Sequence, residues 1–135
     1  MNWTLEVVIV PVSDIDRAKD FYSNKLGFGL DHDTEFGDDI RLVQLTPPGS
    51  GCSIVFGRGA VPKMEPGSIQ GLQLVVPDIH KAHAELVERG VEVSDVQVLG
   101  ANPNPVPDPL DNVGFCFFND PDGNGWAIQQ ISTRP

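Results

Sequence analysis

Two stretches of the chain, "VVIVPVSDIDRAKDFYSNKLGFGL" (Val7–Leu30) and "LQLVVPDIHKAHAELVERGVEV" (Leu72–Val93), spell one pattern twice. Each starts with an apolar run of strand type and passes through an aspartate able to cap a helix, Asp14 or Asp78. An Ile-x-x-Ala pattern follows, and a glycine, Gly27 or Gly90, stops the helix. The spacing between the aspartates matches that between the glycines to within one residue, and both are close to half of the 135-residue chain. Apolar residues at helical spacing (Ile15, Ala18, Phe21, Tyr22, Leu26; then Ile79, Ala82, Leu86, Val87) predict two surface helices, each with one buried stripe.

The sequence beyond each helix also matches. Strand-like runs are expected near 28–34, 40–45 and 52–56 in the first half and near 91–99, 114–119 and 125–131 in the second, separated by turn chemistry such as "FGDD", "PPGSG" and "DPDGNG". Each half therefore reads β-α-β-β-β. The predicted class is α+β: two βαβββ modules that form an open, curved, barrel-like sheet with the helices outside. The boundaries expected are 1–56 for the first module, 57–70 for a linker and 71–135 for the second module. A proline-rich loop at 100–112 interrupts the second copy, since prolines 103, 105, 107 and 109 forbid a central strand or helix there.

With 40% hydrophobic residues the chain can bury a substantial core. A formal net charge of −10 and a pI near 4.4 argue against nucleic acid and anionic membrane surfaces as partners, because phosphate binding needs the opposite field. No apolar run approaches a membrane span and the N-terminus carries no secretory pattern, so a cytoplasmic location is expected. Cys52 and Cys116 sit inside apolar strand runs and read as small core residues rather than a disulfide or a zinc knuckle.

The passages "PVSDIDRAKDFYSNKLGF", "QLTPPGSGCSIVFG" and "FNDPDGNGWAIQQ" together resemble the vicinal oxygen chelate superfamily of glyoxalases, extradiol dioxygenases and bleomycin-resistance proteins. The resemblance covers nearly the whole chain. It implies helices packed outside a concave sheet surface that holds the ligand and, in catalytic members, a divalent metal bound by His and Glu on the first and last strands of each module. Carried over, those positions fall at Val7, Ser53, Gly71 and Ala127, none of which offers an imidazole or a carboxylate.

The resemblance then implies a pocket lined by Val7, Ile9, Ser53, Val55, Gln73, Val75, Ala127 and Gln129, with Arg41 added if its side chain turns inward. Besides a structural or regulatory protein with a filled cavity, two readings stay open. The first is a homodimeric binding protein that holds or sequesters a small organic molecule with no cofactor. The second is a divalent-metal lyase, isomerase or dioxygenase whose ligands have shifted to Glu6, Gln73, Gln129 or Gln130. His32 reads as part of a charged strand edge, His80 and His83 as helix-surface residues, and Trp126 and Ile128 as core.

Overall fold

The structure, a computed structural model, describes residues 1–101 and 108–133. The first copy comprises β1 (Val7–Ile9), α1 (Ile15–Asp20), β2 (Gly29–Phe36), β3 (Ile40–Thr46) and β4 (Ser53–Arg58); the second comprises β5 (Leu72–Val76), α2 (Ile79–Glu88), β6 (Gln97–Val98), β7 (Gly114–Asn119) and β8 (Gly125–Gln130). Each copy builds an open four-stranded sheet, ordered β1-β4-β3-β2 and β5-β8-β7-β6, and in each the first and last strands run parallel. The repeated α+β pattern of the sequence is the pattern of the fold.

The chain divides into two compact units. Unit 1 is 1–69 with 120–124, and unit 2 is 70–119 with 125–135. Both helices start as the sequence predicts: Asp14 Oδ1 accepts from the Arg17 N–H at 3.0 Å and Asp78 Oδ1 from the Lys81 N–H at 3.1 Å. Gly27 and Gly90 take the left-handed conformation past the helix ends, with φ of 77° and 81°. The first helix does not stay α-helical to its glycine. Its last turn, Phe21–Lys25, widens to a π-helix closed by Leu26 N–H to the Phe21 carbonyl.

In unit 1, Val43, Leu45, Ile54 and Phe56 form the buried face of the sheet, and Tyr22 meets Phe56 with ring centroids 5.9 Å apart. The Tyr22 hydroxyl donates to Asp120 at 2.7 Å, although Asp120 belongs to the turn between β7 and β8. Asp120 also accepts from the N–H groups of Asp122 and Asn124 and from Asn124 Nδ2, so its buried carboxylate is fully bonded. Asn124, wholly buried, adds Nδ2 to the Pro11 carbonyl at 2.8 Å and accepts from the Ile69 N–H at 3.1 Å. This network is why the turn clusters with unit 1 while the strands on either side of it belong to unit 2.

In unit 2, α2 packs on β7 and β8. Trp126 and Ile128 are buried on that side, as expected, and Trp126 stacks on Phe118 at 6.0 Å. The strand expected across 91–99 is reduced to β6 and an isolated bridge from Val93 to Phe118. Ser94 explains the break: its hydroxyl, not a backbone carbonyl, accepts the Phe117 N–H at 2.9 Å. Of the predicted proline-rich loop 100–112, residues 102–107 lie outside the described residues. The part that follows is ordered by Asp108, which accepts from the Leu110 N–H and from Gln130 Nε2.

Candidate functional site

Strand pairing assigns each side chain to a face, because residues directly opposite one another point the same way. In unit 1, Val7 is opposite Ser53, and Ile9 is opposite Val55, which in turn faces Gln44 and, beyond it, His32. This is the face away from α1. In unit 2, Gln73 is opposite Ala127 and Phe117, and Val75 is opposite Gln129, Phe115 and Gln97. The site residues expected on these strands, Val7, Ile9, Ser53, Val55, Gln73, Val75, Ala127 and Gln129, thus all fall on the face of their own sheet that turns away from its helix.

Arg41 does not. It stands on the helix side of β3, 8% exposed, where Nε and Nη2 grip both oxygens of Asp33 at 3.0 and 2.9 Å and Nη1 reaches Asp16 on α1 at 2.9 Å. Glu35 lies 3.7 Å away. The expectation that Arg41 could supply an inward cation is therefore corrected: its charge is consumed by carboxylates on β2 and α1. The Arg41 guanidinium, helped by Lys19 at 2.7 Å, holds the Asp33 carboxyl far below the usual carboxylate range, and Asp33 in turn raises Arg41.

Gln130 is corrected in the same way. It is buried on the helix side of β8, where Oε1 accepts from the Ile79 N–H at 3.0 Å and Nε2 donates to Asp108 at 2.8 Å, so it caps α2 and cannot join Gln129 in a shared ligand set. Glu6 precedes β1 and is exposed; its backbone carbonyl accepts from the Ser53 N–H. Gln73 Nε2 donates to Gln129 Oε1 at 2.6 Å and Gln129 Nε2 to the Asn112 carbonyl at 2.7 Å, so the two amides orient each other. The register also refines the position carried over to Gly71. Ala127 is opposite Gln73, whereas Gly71 bonds Gly125 through its N–H.

The site gains Thr46, which the sequence reading passed over, and Asp31, which it read only as part of the charged edge around His32. Thr46 Oγ1 lies 2.6 Å from Ser53 Oγ and also donates to Asp31, making a carboxylate-hydroxyl-hydroxyl chain across unit 1. A β-bulge between Leu30 and His32 takes Asp31 out of the strand's alternation, so no period-two reading could find it. Phe115 and Phe117 share the open face of unit 2, with centroids 6.3 Å apart and rings within 8° of parallel.

A cavity of about 570 Å³ in unit 1 is bounded by Ile9, Pro11, Gly57, Arg58, Lys63 and Met64. A hollow of about 290 Å³ in unit 2 is bounded by Gln70, Gly71, Phe117, Asn119, Gly125 and Ala127.

The side chains at the positions where the resembled fold carries metal ligands are an isopropyl group, a hydroxyl, an amide or a bare glycine, and a methyl, which do not fit a divalent cation. Among the described residues no three His, Cys, Asp or Glu side chains come together in a way that could hold one. His80 is exposed, His83 Nε2 is buried without a hydrogen-bond partner among the described residues, and His32 lies on the edge strand β2. Burial raises the Cys116 thiol, so that cysteine is a core residue.

The profile of the Glyoxalase/Bleomycin resistance protein/Dioxygenase superfamily matches residues 4–128, and the chain belongs to that superfamily. It is similar to the crystal structure of TnmS3, an antibiotic binding protein from Streptomyces sp. CB03234, at 36% identity over 97% of this chain and 98% of that one, with a TM-score of 0.73. A superfamily member from Sphaerobacter thermophilus DSM 20745 is 28% identical over 96% of this chain and 98% of that one, with a TM-score of 0.74. The Bacillus subtilis (strain 168) protein YwkD, itself uncharacterized, is 30% identical over 85% of this chain and 87% of its own. Among the described residues no helix is long and apolar enough to cross a membrane.

Proposed function

We propose that this protein binds a small organic molecule on the open faces of its sheets, holding it without a metal or other cofactor. The observation that carries the reading is the pairing of Val7 with Ser53 and of Gln73 with Ala127: apolar, hydroxyl and amide groups stand where a chelating superfamily member needs imidazoles and carboxylates. Apolar surface with a few oriented polar groups is the make-up of a small-molecule site. The similarity to an antibiotic binding protein supports sequestration of a toxic compound as the biological role. The alternative, a divalent-metal lyase, isomerase or dioxygenase with shifted ligands, draws no strength from Gln130, which faces the helix, or from Gln129, whose amide oxygen and nitrogen are taken up by Gln73 and the Asn112 carbonyl.

We place the protein in the cytoplasm, where Cys52 and Cys116 stay free thiols. We also propose that it works as a homodimer, because Trp3, Leu5 and Phe36 are 88%, 68% and 61% exposed and a second copy would cover them. The deciding experiment is elemental analysis of untagged protein after dialysis against nickel, zinc, manganese and iron, followed by a thermal-shift screen of antibiotics and small amphipathic compounds. A compound that raises the melting temperature of metal-free protein supports the reading. Stoichiometric metal retained at micromolar affinity, with turnover that depends on it, overturns it.

A further inference from the structure

Building on the small-molecule reading above, we infer that the open face of unit 2 takes a flat aromatic ring system, neutral or cationic, laid against Phe117 over a floor of Ala127 and Gly71. Three observations point there. Phe117 is 36% exposed, a large share for a phenyl ring in a strand, and its orientation is set by Phe115, whose ring lies parallel 6.3 Å away. The hollow of about 290 Å³ borders this same ring, so an unfilled space and an aromatic surface coincide. The floor beside the ring is low: Ala127 is directly opposite Phe117, and a methyl group placed on Gly71 would meet nothing within 4 Å, while the Gln70 amide lies over Gly125 and closes that end of the slot. A slot with one aromatic wall and no bulk beneath it admits a plate better than a sphere.

The rim sets the polarity. Gln73 uses its Nε2 to donate to Gln129 Oε1, and Gln129 is fixed in turn by the Asn112 carbonyl, so the Gln73 amide carbonyl is held in one orientation as an acceptor for a ring N–H or O–H. The open-face residues of β5, β7 and β8 are Gln73, Val75, Phe115, Phe117, Asn119, Ala127 and Gln129, none of them charged. With no cation on this surface and a chain charge of −10, carboxylate- and phosphate-bearing ligands are disfavoured.

The test is calorimetric titration of the full chain with acridone (flat, neutral, one N–H donor), 9-aminoacridine (flat, cationic), acridone-4-carboxylate (flat, anionic) and adamantane-1-carboxamide (neutral, globular). The two flat non-anionic probes are expected to bind at least ten-fold more tightly than the other two. Phe117→Leu is expected to weaken acridone about ten-fold through loss of stacking while leaving the weak adamantane binding unchanged. Ala127→Leu fills the hollow and should abolish acridone binding; circular dichroism and melting curves verify that each variant folds, and Phe117→Leu carries the test if Ala127→Leu does not.

Equal binding of flat and globular probes, unaffected by Phe117→Leu, overturns the stacking site but leaves the small-molecule reading standing. Failure of all four probes also overturns this inference. Failure of the broad compound screen as well removes the reading beneath it.

Discussion

Replacing Arg41 by methionine separates the ion cluster from the ligand surface. The substitution keeps the length of the aliphatic stem but deletes a guanidinium, on a side chain only 10% exposed, that makes two charge-assisted hydrogen bonds to Asp33 at 3.0 and 2.9 Å. Such bonds contribute roughly 1.5–3 kcal/mol each in favourable settings. The contacts to Asp16 and Glu35 add little, since those carboxylates are 82% and 59% exposed and exposed pairs are worth about 0–1 kcal/mol. Asp33 keeps Lys19 at 2.7 Å and some access to water, which limits the penalty of stranding its charge.

The expected loss for Arg41→Met is therefore about 3 kcal/mol, or a fall of roughly 10 °C in melting temperature for a chain of this size. Urea unfolding followed by circular dichroism measures it. Ligand affinity, titrated at a temperature where both proteins are folded, should stay within about two-fold of wild type, because Arg41 points to the opposite side of the sheet from Val55 and Gln44. A melting shift under about 3 °C would refute the stability argument, and a ten-fold loss of affinity with the fold intact would refute the assignment of Arg41 to the helix side.

The depressed Asp33 titration has a pH signature: stability that depends on its ionised form is present above its ordinary value of 3.8 and drains away as pH falls below it, so Asp33→Asn should be less stable than wild type at neutral pH and lose less on acidification. Denaturant midpoints at pH 7 and pH 3 check the sign. Tyr22→Phe removes one of four donors to the Asp120 carboxylate and should cost about 1–2 kcal/mol in urea unfolding, whereas Asp120→Ala, which strands every donor, should cost more than twice as much. Native protein should react with a bulky disulfide reagent at the half-buried Cys52 and not at Cys116; unfolding in urea should bring the count to two thiols.

The duplication was legible because it is written in local chemistry. Aspartate caps, left-handed glycines and helical spacing act within a few residues, and none depends on the rest of the chain. The faces were harder, and two alignment slips show why. The passage from Val7 to Asp14 is two residues longer than that from Gln73 to Asp78, so equating Val7 with Gly71 missed the true partner of Ala127 but kept the correct face. The passage from Gln44 to Val55 is three residues shorter than that from Phe115 to Gln129. Turning Arg41 inward therefore places it three residues from Gln44, the counterpart of Phe115 by register, and such an odd slip turns a side chain through the sheet. The counterpart of Phe115 is Gln44, a polar residue the sequence reading did not single out. Asp31 was hidden for a related reason, since a bulge resets alternation without leaving a mark in composition.

Equivalent positions in the two copies now carry different chemistry on the same backbone plan. Ser53 in unit 1, hydrogen-bonded through Thr46 to Asp31, corresponds to Ala127 in unit 2; Val55 and Gln44 correspond to Gln129 and Phe115. The scaffold residues do not show this divergence: the caps Asp14 and Asp78 make the same bond, and the left-handed glycines have nearly the same φ. The features that hold the fold together lie on the helix sides and in the Asp120–Asn124 knot, while the open faces contribute few of those bonds. The small side chain of Ala127 thus borders a hollow without disturbing the core beneath, where Trp126 and Ile128 stay packed under α2. The "DPDGNG" turn owes its residues to the Tyr22–Asp120–Asn124 network, and the strand that leaves it carries Ala127 and Gln129 on the face away from α2.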